Sequence, residues 1–182
     1  DTVADLAAQA DVVVEGEIEG VASGRSYAST PGGELHYVTS VLAVRVSGVL
    51  QGDASLVHDG RVYVEIVHPA FVGTPPTGEE EESDVAMMPF DHATFARTVP
   101  IGLRGIYFLS DLTEASDPQL IEDEGAGRPD GAPITGTHVQ GFLIEPSGGG
   151  LISVMEPLDS MPSAWRHLGS LDDVRDALTS QT

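Results

Sequence analysis

Apolar and polar residues alternate in four separate blocks of this chain. The blocks are residues 10–21, 35–53, 61–69 and 100–111. In the first block Val12, Val14 and Ile18 fall on one face, and Glu15 and Glu17 fall on the other. A period of two is typical of a β-strand with one buried side and one solvent-facing side. The blocks therefore predict a mainly β protein built on a small curved sheet or barrel.

The second and third blocks extend this pattern. The second block is long and repeats apolar residues at Leu42 and Val44, and a strand of this length bends or serves two parts of a barrel. The third block sets apolar residues against Tyr63 and Glu65. The polar stretch 22–34 between the first two blocks predicts a mobile loop. The residues predicted to share one buried core are Val12, Val14, Ile18, Leu42, Val44, Val46, Val64, Ile66 and Phe108.

The fourth block and the region after it complete the set of strands. Residues 105–110 are apolar on both faces, which predicts a central strand. Residues 138–145 and 151–156 are two further strand-like runs, and the proline- and glycine-rich turn between them predicts a hairpin.

Short helices are predicted at both ends of the chain, over residues 2–10 and about 170–180. Thr2 is an N-cap residue, and Asp5 stands three residues later, as in a capping box. Ser170 begins the second helix with the same spacing. Trp165 lies just before that helix, and we expect it to seal one end of the barrel.

Two acidic insertions interrupt the strands, at residues 69–99 and 111–134. The first contains the uninterrupted acid run 79–82, which is the composition of a solvated segment. Its apolar residues are predicted to fold back over the barrel as a cover: Met87, Met88, Phe90 and Phe95. We expect the acidic parts of both insertions to lie outside the core.

The charge of the chain excludes several classes of partner. It carries 29 acidic residues against eight basic ones, all arginine, for a net charge of −21. A field of this sign repels nucleic acid and anionic membrane surfaces. No stretch approaches the roughly 20 apolar residues of a membrane span, and the chain contains no cysteine. We therefore predict no nucleic-acid partner, no transmembrane segment and no cysteine chemistry.

The strand blocks resemble those of secreted bacterial domains with an OB-like barrel, similar to the tissue-inhibitor-of-metalloproteinase and netrin-like fold. The pieces that carry the resemblance are ADVVVEGEIEGV, VTSVLAVRVSGVLQGD, VYVEI and VPIGLRGIYFL, which span roughly residues 10–110. The resemblance implies an OB-like barrel and a secreted or cell-envelope location.

Two properties of such barrels do not carry over to this chain. Where these domains inhibit metalloproteases, the free amine of an N-terminal cysteine binds the zinc of the target, whereas this chain has Asp1 and no cysteine. Many OB folds bind oligonucleotides on a basic face rich in aromatic residues. Here only 5% of residues are aromatic and lysine is absent.

The common catalytic and cofactor motifs are absent from the sequence. It contains no HExxH, no GxSxG and no GxGxxG or Walker pattern. Three of the six histidines, His36, His68 and His138, lie in or beside predicted strands, where convergence on a metal is one interpretation and ordinary packing is the other. A Ser–His–Asp site assembled from separate loops stays open, because such sites are defined by geometry rather than by order along the chain.

Calcium is the better candidate for a bound ion. Calcium binds six to eight oxygen atoms, and acidic loops supply them. The candidates are Asp111, Glu114, Asp117 and Glu122, although the segment departs from the EF-hand pattern at Ala115. The other interpretation is a solvated acidic loop without a bound ion.

These observations predict one domain over residues 1–182, with barrel strands between about 11 and 156. The fold class is mainly β, an OB-like barrel of five or six strands with a short helix at each end of the chain. The predicted function is a non-enzymatic binding or accessory domain, secreted or in the cell envelope, with a protein or small-molecule partner and no required cofactor. The alternatives are a hydrolase with a loop-assembled site and a calcium-dependent interaction module.

Overall fold

The computed structural model describes residues 2–28, 36–67, 92–99, 101–113, 121–122, 125–153, 165 and 167–180. Its elements, in chain order, are α1 (Val3–Gln9), β1 (Val12–Ala28), β2 (His36–Gly52), a 3-10 turn (Ala54–Leu56), β3 (Arg61–Val67), α2 (His92–Thr98), β4 (Arg104–Asp111), β5 (Ile121–Glu122), β6 (Thr135–Glu145), β7 (Ile152–Ser153) and α3 (Leu171–Thr179). None of the helices in these ranges has the length and apolar character needed to cross a membrane.

The strands form one sheet that closes into a ring, which confirms the prediction of a mainly β protein. β1 pairs antiparallel with β2, β2 with β3, β6 with β4 and β4 with β1, while β3 and β6 pair in parallel. β5 adds to β1 and β7 adds to β6. The central position predicted for residues 105–110 is correct, because β4 lies between β6 and β1.

The interior of the ring is the first of three hydrophobic clusters, called here the inner core. Most of the residues predicted to share a core are buried in it: Val12, Val14, Ile18, Leu42, Val44, Val64 and Ile66. Two predictions differ from the structure. Val46 is only partly buried against this cluster, and Phe108 belongs to a different one.

A second cluster lies on the outside of the ring, where helices α1 and α3 cover β1, β4 and β6. Val13 and Phe108 face this cluster, because the residues on either side of them face the inner core. The start of β1 is therefore buried on both faces, not on one as its alternation predicted. Trp165 packs in the same cluster, edge-on to Phe108 with ring centroids 6.4 Å apart. It covers the outer wall, so the prediction that it seals an end of the barrel is wrong.

The third cluster covers the outside of β2 and β3, where Ala132 and Ile134 pack against Val41 and Tyr63. Gly127 is needed for this contact, since a Cβ atom there would lie 2.7 Å from the Val41 side chain, and its φ of +83° favours glycine. The later part of the predicted insertion 111–134 is thus packed structure. Tyr63 is buried beneath it, and Glu65 is buried by its contacts with Arg25 and Thr39, whereas the pattern of the third block placed both residues on a polar face.

The ends of the elements depend on local sequence signals to different degrees. α1 has the predicted capping box between Thr2 and Asp5, and Ser170 caps α3 as expected. Strand β1 runs on to Ala28, into the stretch predicted as a loop, and α2 was not predicted. Phe95 of α2 is buried in the inner core, as its role of cover requires. The predictions for residues 79–82, 87–90 and 154–156 fall outside the described residues.

Candidate functional site

A cleft of about 270 Å³ opens on the outside of the ring where β3, β6 and the end of β4 meet. It lies beside the third cluster, since Leu112 borders both. Its walls are mainly apolar, and the polar groups are few. The lining residues are Glu65, Ile66, Val67, Ser110, Leu112, Gly136, Thr137 and His138.

The cleft exists because β3 and β6 share only a short paired seam. Their parallel ladder consists of the pairs Val64–Thr135 and Glu65–Gly136. Beyond Gly136, β6 follows β4, and the ladder to β3 ends within the described residues. The floor of the cleft therefore forms where the closing seam of the ring stops.

An irregularity in β6 brings His138 into the cleft. Leu109 of β4 pairs with Thr137, whereas Tyr107, two residues earlier, pairs with Phe142. Four residues of β6 therefore lie opposite a single residue of β4. Bulges of this kind redirect side chains and occur often beside functional sites.

Ser110 and His138 contact each other in this cleft. The distance between Ser110 Oγ and His138 Nε2 is 3.2 Å, and both side chains are partly buried. A serine hydroxyl and an imidazole at this distance are the arrangement of a nucleophile and its general base. The same pair can instead hold a ligand by donating and accepting hydrogen bonds.

Glu65 forms the opposite wall, where four hydrogen bonds fix its carboxylate. Oε1 accepts from Arg25 Nε and from Thr39 Oγ1, each at 2.9 Å. Oε2 accepts from Arg25 Nη2 at 2.5 Å and from the Tyr27 hydroxyl at 2.9 Å. Arg25 is 1% exposed and Glu65 is 4% exposed. The network compensates the charge of this carboxylate and fixes its position. Glu65 therefore contributes a rigid surface to the cleft rather than a free charge.

The apolar part of the wall comes from Val67 and Leu112. Val67 is 59% exposed, the highest value among the large exposed hydrophobic side chains in the described ranges. Leu112 packs directly over Gly136, where a Cβ atom would lie 2.7 Å from Leu112 Cδ1. The absence of a side chain at Gly136 therefore leaves room for Leu112 beside the cleft.

A second Ser–His contact in the molecule provides a comparison. Ser40 Oγ lies 2.8 Å from His92 Nδ1, but Ser40 is fully buried, and neither residue lines a described cleft. This contact joins the start of α2 to β2 and is structural. Ser110 and His138 differ from it because a ligand has access to both.

Several ion pairs connect arginine and glutamate side chains around the ring. On the outer face of β1, β2 and β3, Arg45 and Arg61 share Glu19, and Arg45 also bonds Glu17. Arg104 and Arg175 both contact Glu15, so α3 is tied to β1 and β4. Arg25 forms a further ion pair, with the buried Glu65. The sequence as a whole has fewer than one arginine for every three carboxylates, with eight arginines against 29 acidic residues.

The structure describes two of the four calcium candidates, Asp111 and Glu122. Asp111 ends β4 beside Thr135, and its backbone N–H donates to the Asp11 carboxylate. Glu122 lies in β5, opposite Ser26. Glu114 and Asp117 fall outside the described residues, so the calcium site stays a prediction. Across the described ranges no three histidine, aspartate or glutamate side chains are grouped to hold a metal.

The hypothesis that His36, His68 and His138 converge on a metal is also covered only in part by the described residues. His138 lies in β6, and the backbone of His36 begins β2 opposite Ala28. His68 is outside the described residues. His138 instead contacts Ser110, a pair that the sequence did not single out because the two residues lie 28 positions apart and the bulge that joins them leaves no periodic signal. The glycine in HVQGF is the one local hint of an irregular strand.

Comparison of the chain with protein-family models, with curated proteins and with solved structures gives no significant match. The site must therefore be interpreted from its own geometry and charge.

Proposed function

We propose that this chain is a binding or accessory domain built on an OB-like barrel, and that its ligand occupies the cleft between β3 and β6. The support for the barrel is the strand order β1–β2–β3–β6–β4, closed by β1 and by one parallel pair. OB folds are five-stranded, partly open barrels. The secreted or cell-envelope setting rests on the resemblance of the strand blocks to tissue-inhibitor-of-metalloproteinase and netrin-like domains.

The cleft carries the proposal, because its size and lining define a class of ligand. Small-molecule sites are mostly apolar concavities with a few placed polar groups. At about 270 Å³ this cleft is slightly smaller than the roughly 300–1,000 Å³ usual for such sites. Val67 and Leu112 offer an apolar surface, while Ser110 and His138 offer hydrogen bonds. The ligand is therefore a compact, largely apolar molecule with one polar group.

The charge of the protein narrows the class of ligand further. The chain carries a net charge of −21, and the one carboxylate in the cleft wall, Glu65, is already paired with Arg25. The field of the protein disfavours anionic ligands and, for the same reason, nucleic acid. The ligand is accordingly neutral or cationic.

Three test ligands of nearly equal size separate these possibilities: benzyl alcohol, benzylamine and benzoate. We expect the first two to shift the amide NMR signals of Val67, Leu112 and Thr137 at millimolar concentration, and benzoate to bind least. The variant Val67→Trp should fill the cleft and abolish these shifts.

The control for this variant is Val49→Trp. Val49 is a surface valine of similar character, 41% exposed on β2, and it does not line the cleft. Binding should survive that change. Equal binding by the parent and Val67→Trp, or tightest binding of benzoate, would refute the proposal.

A further inference from the structure

We infer that the ligand of the cleft is a compact ester or a similarly activated acyl compound, and that Ser110 attacks its carbonyl carbon with His138 as the base. This inference rests on the proposed function, because the reacting group must first occupy the cleft. The inference specifies that the polar group of that ligand is a reactive carbonyl.

The geometry of the pair supports this role. Ser110 Oγ and His138 Nε2 are 3.2 Å apart, within the reach expected of a nucleophile and its base, and such contacts are often long before a substrate binds. Both residues line the cleft and are partly buried, so a ligand can reach the hydroxyl oxygen. The bulge in β6 gives His138 an orientation that a regular ladder would not.

The step balances within the pair and its substrate. As the bond from Ser110 Oγ to the carbonyl carbon forms, the hydroxyl proton moves to Nε2 of an imidazole that carries its other proton on Nδ1. The bond to the leaving alcohol then breaks, and that alcohol takes the proton from Nε2. A water molecule repeats the sequence on the acyl-serine, with His138 again taking the proton, and releases a carboxylic acid.

The surroundings favour this direction of reaction. An ester is neutral and enters an apolar cleft without a charge penalty, whereas the carboxylate product is repelled by the field of a chain with net charge −21. The apolar wall of Val67 and Leu112 is suited to a short acyl or aryl group. Substrate entry and product release thus follow from the same charge distribution.

The experiment uses phenylmethanesulfonyl fluoride and phenyl acetate, which are compact, neutral and similar in size to benzyl alcohol. We expect the sulfonyl fluoride to label Ser110, as shown by intact mass and peptide mapping, and phenyl acetate to be hydrolysed. His138→Gln should slow both reactions by about 100-fold, the lower range for loss of a general base.

Ser110→Ala should abolish both reactions and still bind benzyl alcohol, more weakly, through the apolar wall and His138, which separates chemistry from binding. Ser40→Ala, which removes the other Ser–His contact, should leave both rates unchanged. If benzyl alcohol binds but the parent reacts no faster than Ser110→Ala, this inference is overturned and the proposed function stands. If benzyl alcohol does not bind either, both are overturned.

Discussion

At the scale of single residues, the pair of Arg25 and Glu65 is the strongest test of the wall of the cleft. Removing one member of a buried ion pair leaves a charge without compensation and costs about 3–5 kcal/mol. We therefore expect Glu65→Ala to lower the free energy of unfolding by about that amount. Urea denaturation of the parent and the variant measures the difference.

The double variant Arg25→Met with Glu65→Leu is the matched control. Replacing both charges with apolar groups of similar volume is often close to neutral. We expect the double variant to be more stable than Glu65→Ala alone. A double variant that loses more stability than the single one would show that the network contributes through its geometry rather than through charge compensation.

Tyr107 differs from this pair because it buries a single polar atom in the inner core. Its hydroxyl has no hydrogen bond among the described residues, and burial raises the pKa of this phenol well above its ordinary value. Its ring packs 5.2 Å from that of Phe142, measured between centroids. An unsatisfied buried group is costly, so we expect Tyr107→Phe to keep the packing and raise the free energy of unfolding by about 1 kcal/mol.

The measurement is again urea denaturation, with Tyr63→Phe as a comparison at a second buried tyrosine that packs in the third cluster. A loss of stability in Tyr107→Phe would show that its hydroxyl has a partner in solution, and the interior of the ring would then contain a polar group or a water molecule.

At the scale of elements, the register of β2 decides which of its residues face the inner core. Val44 pairs with Val62 and with Ile18, and all three are fully buried. Val44→Asp would place a carboxylate in that cluster, and we expect a loss above about 4 kcal/mol, enough to unfold the domain. Circular dichroism and thermal melting measure this loss of stability.

Val49→Asp is the control on the same strand, at a position 41% exposed, and it should melt close to the parent. A folded Val44→Asp protein with an unchanged melting temperature would show that the register of β2 is wrong.

Helix α3 provides a pH-dependent prediction. The hydrogen bond from the Gly169 N–H, followed by the one with Ser170, lowers the pKa of the Asp173 carboxyl below its ordinary value of 3.8. A carboxylate with a lowered pKa stabilises the folded state above the ordinary value, and this contribution is lost as the pH falls through the lowered one. We expect Asp173→Asn to melt below the parent at about pH 7 and to approach it near pH 2.

Asp176→Asn controls for the loss of a carboxylate elsewhere on the same helix. Its melting temperature should not approach that of the parent as the pH falls. A constant gap for Asp173→Asn across the pH range would mean that its charge plays no part in capping α3.

At the scale of the whole molecule, the calcium hypothesis makes a prediction that charge screening does not. An ion that binds the native state alone raises the melting temperature. If Asp111, Glu114, Asp117 and Glu122 hold calcium, millimolar calcium should stabilise the protein more than magnesium does, and Asp117→Asn should remove the excess. The control Asp59→Asn changes a carboxylate in a surface turn, 87% exposed, and should keep the extra stabilisation by calcium. Equal effects of the two ions would leave only screening and remove the hypothesis.

The distribution of charge explains why screening is expected in any case. Ion pairs on the strands and α3 involve Arg25, Arg45, Arg61, Arg104 and Arg175, and the chain as a whole has 21 more acidic than basic residues. Self-repulsion of that excess opposes folding, and salt weakens it.

Local patterns in the chain predicted the elements whose signals are themselves local. Alternation over residues 10–21 and 35–53 predicted β1 and β2, because a strand exposes its two faces with a period of two. Thr2 and Ser170 predicted the starts of α1 and α3, because an N-cap bonds a backbone group only two or three residues away. Helix α2 was missed because its sequence HATFART has one large apolar residue, Phe95, and so shows no apolar face, unlike the equally short α1.

What only the tertiary structure decided is the burial of the second face of the strands and the contents of the cleft. Val13, Phe108 and Tyr63 are buried because α1, α3 and residues 125–134, all distant in the chain, pack over the outside of the ring. The sequence by itself determined a mainly β fold, its principal strands and the sign of its field, since these depend on composition and spacing. The contact of Ser110 with His138 depends on ring closure and on a bulge, and no local pattern encodes either.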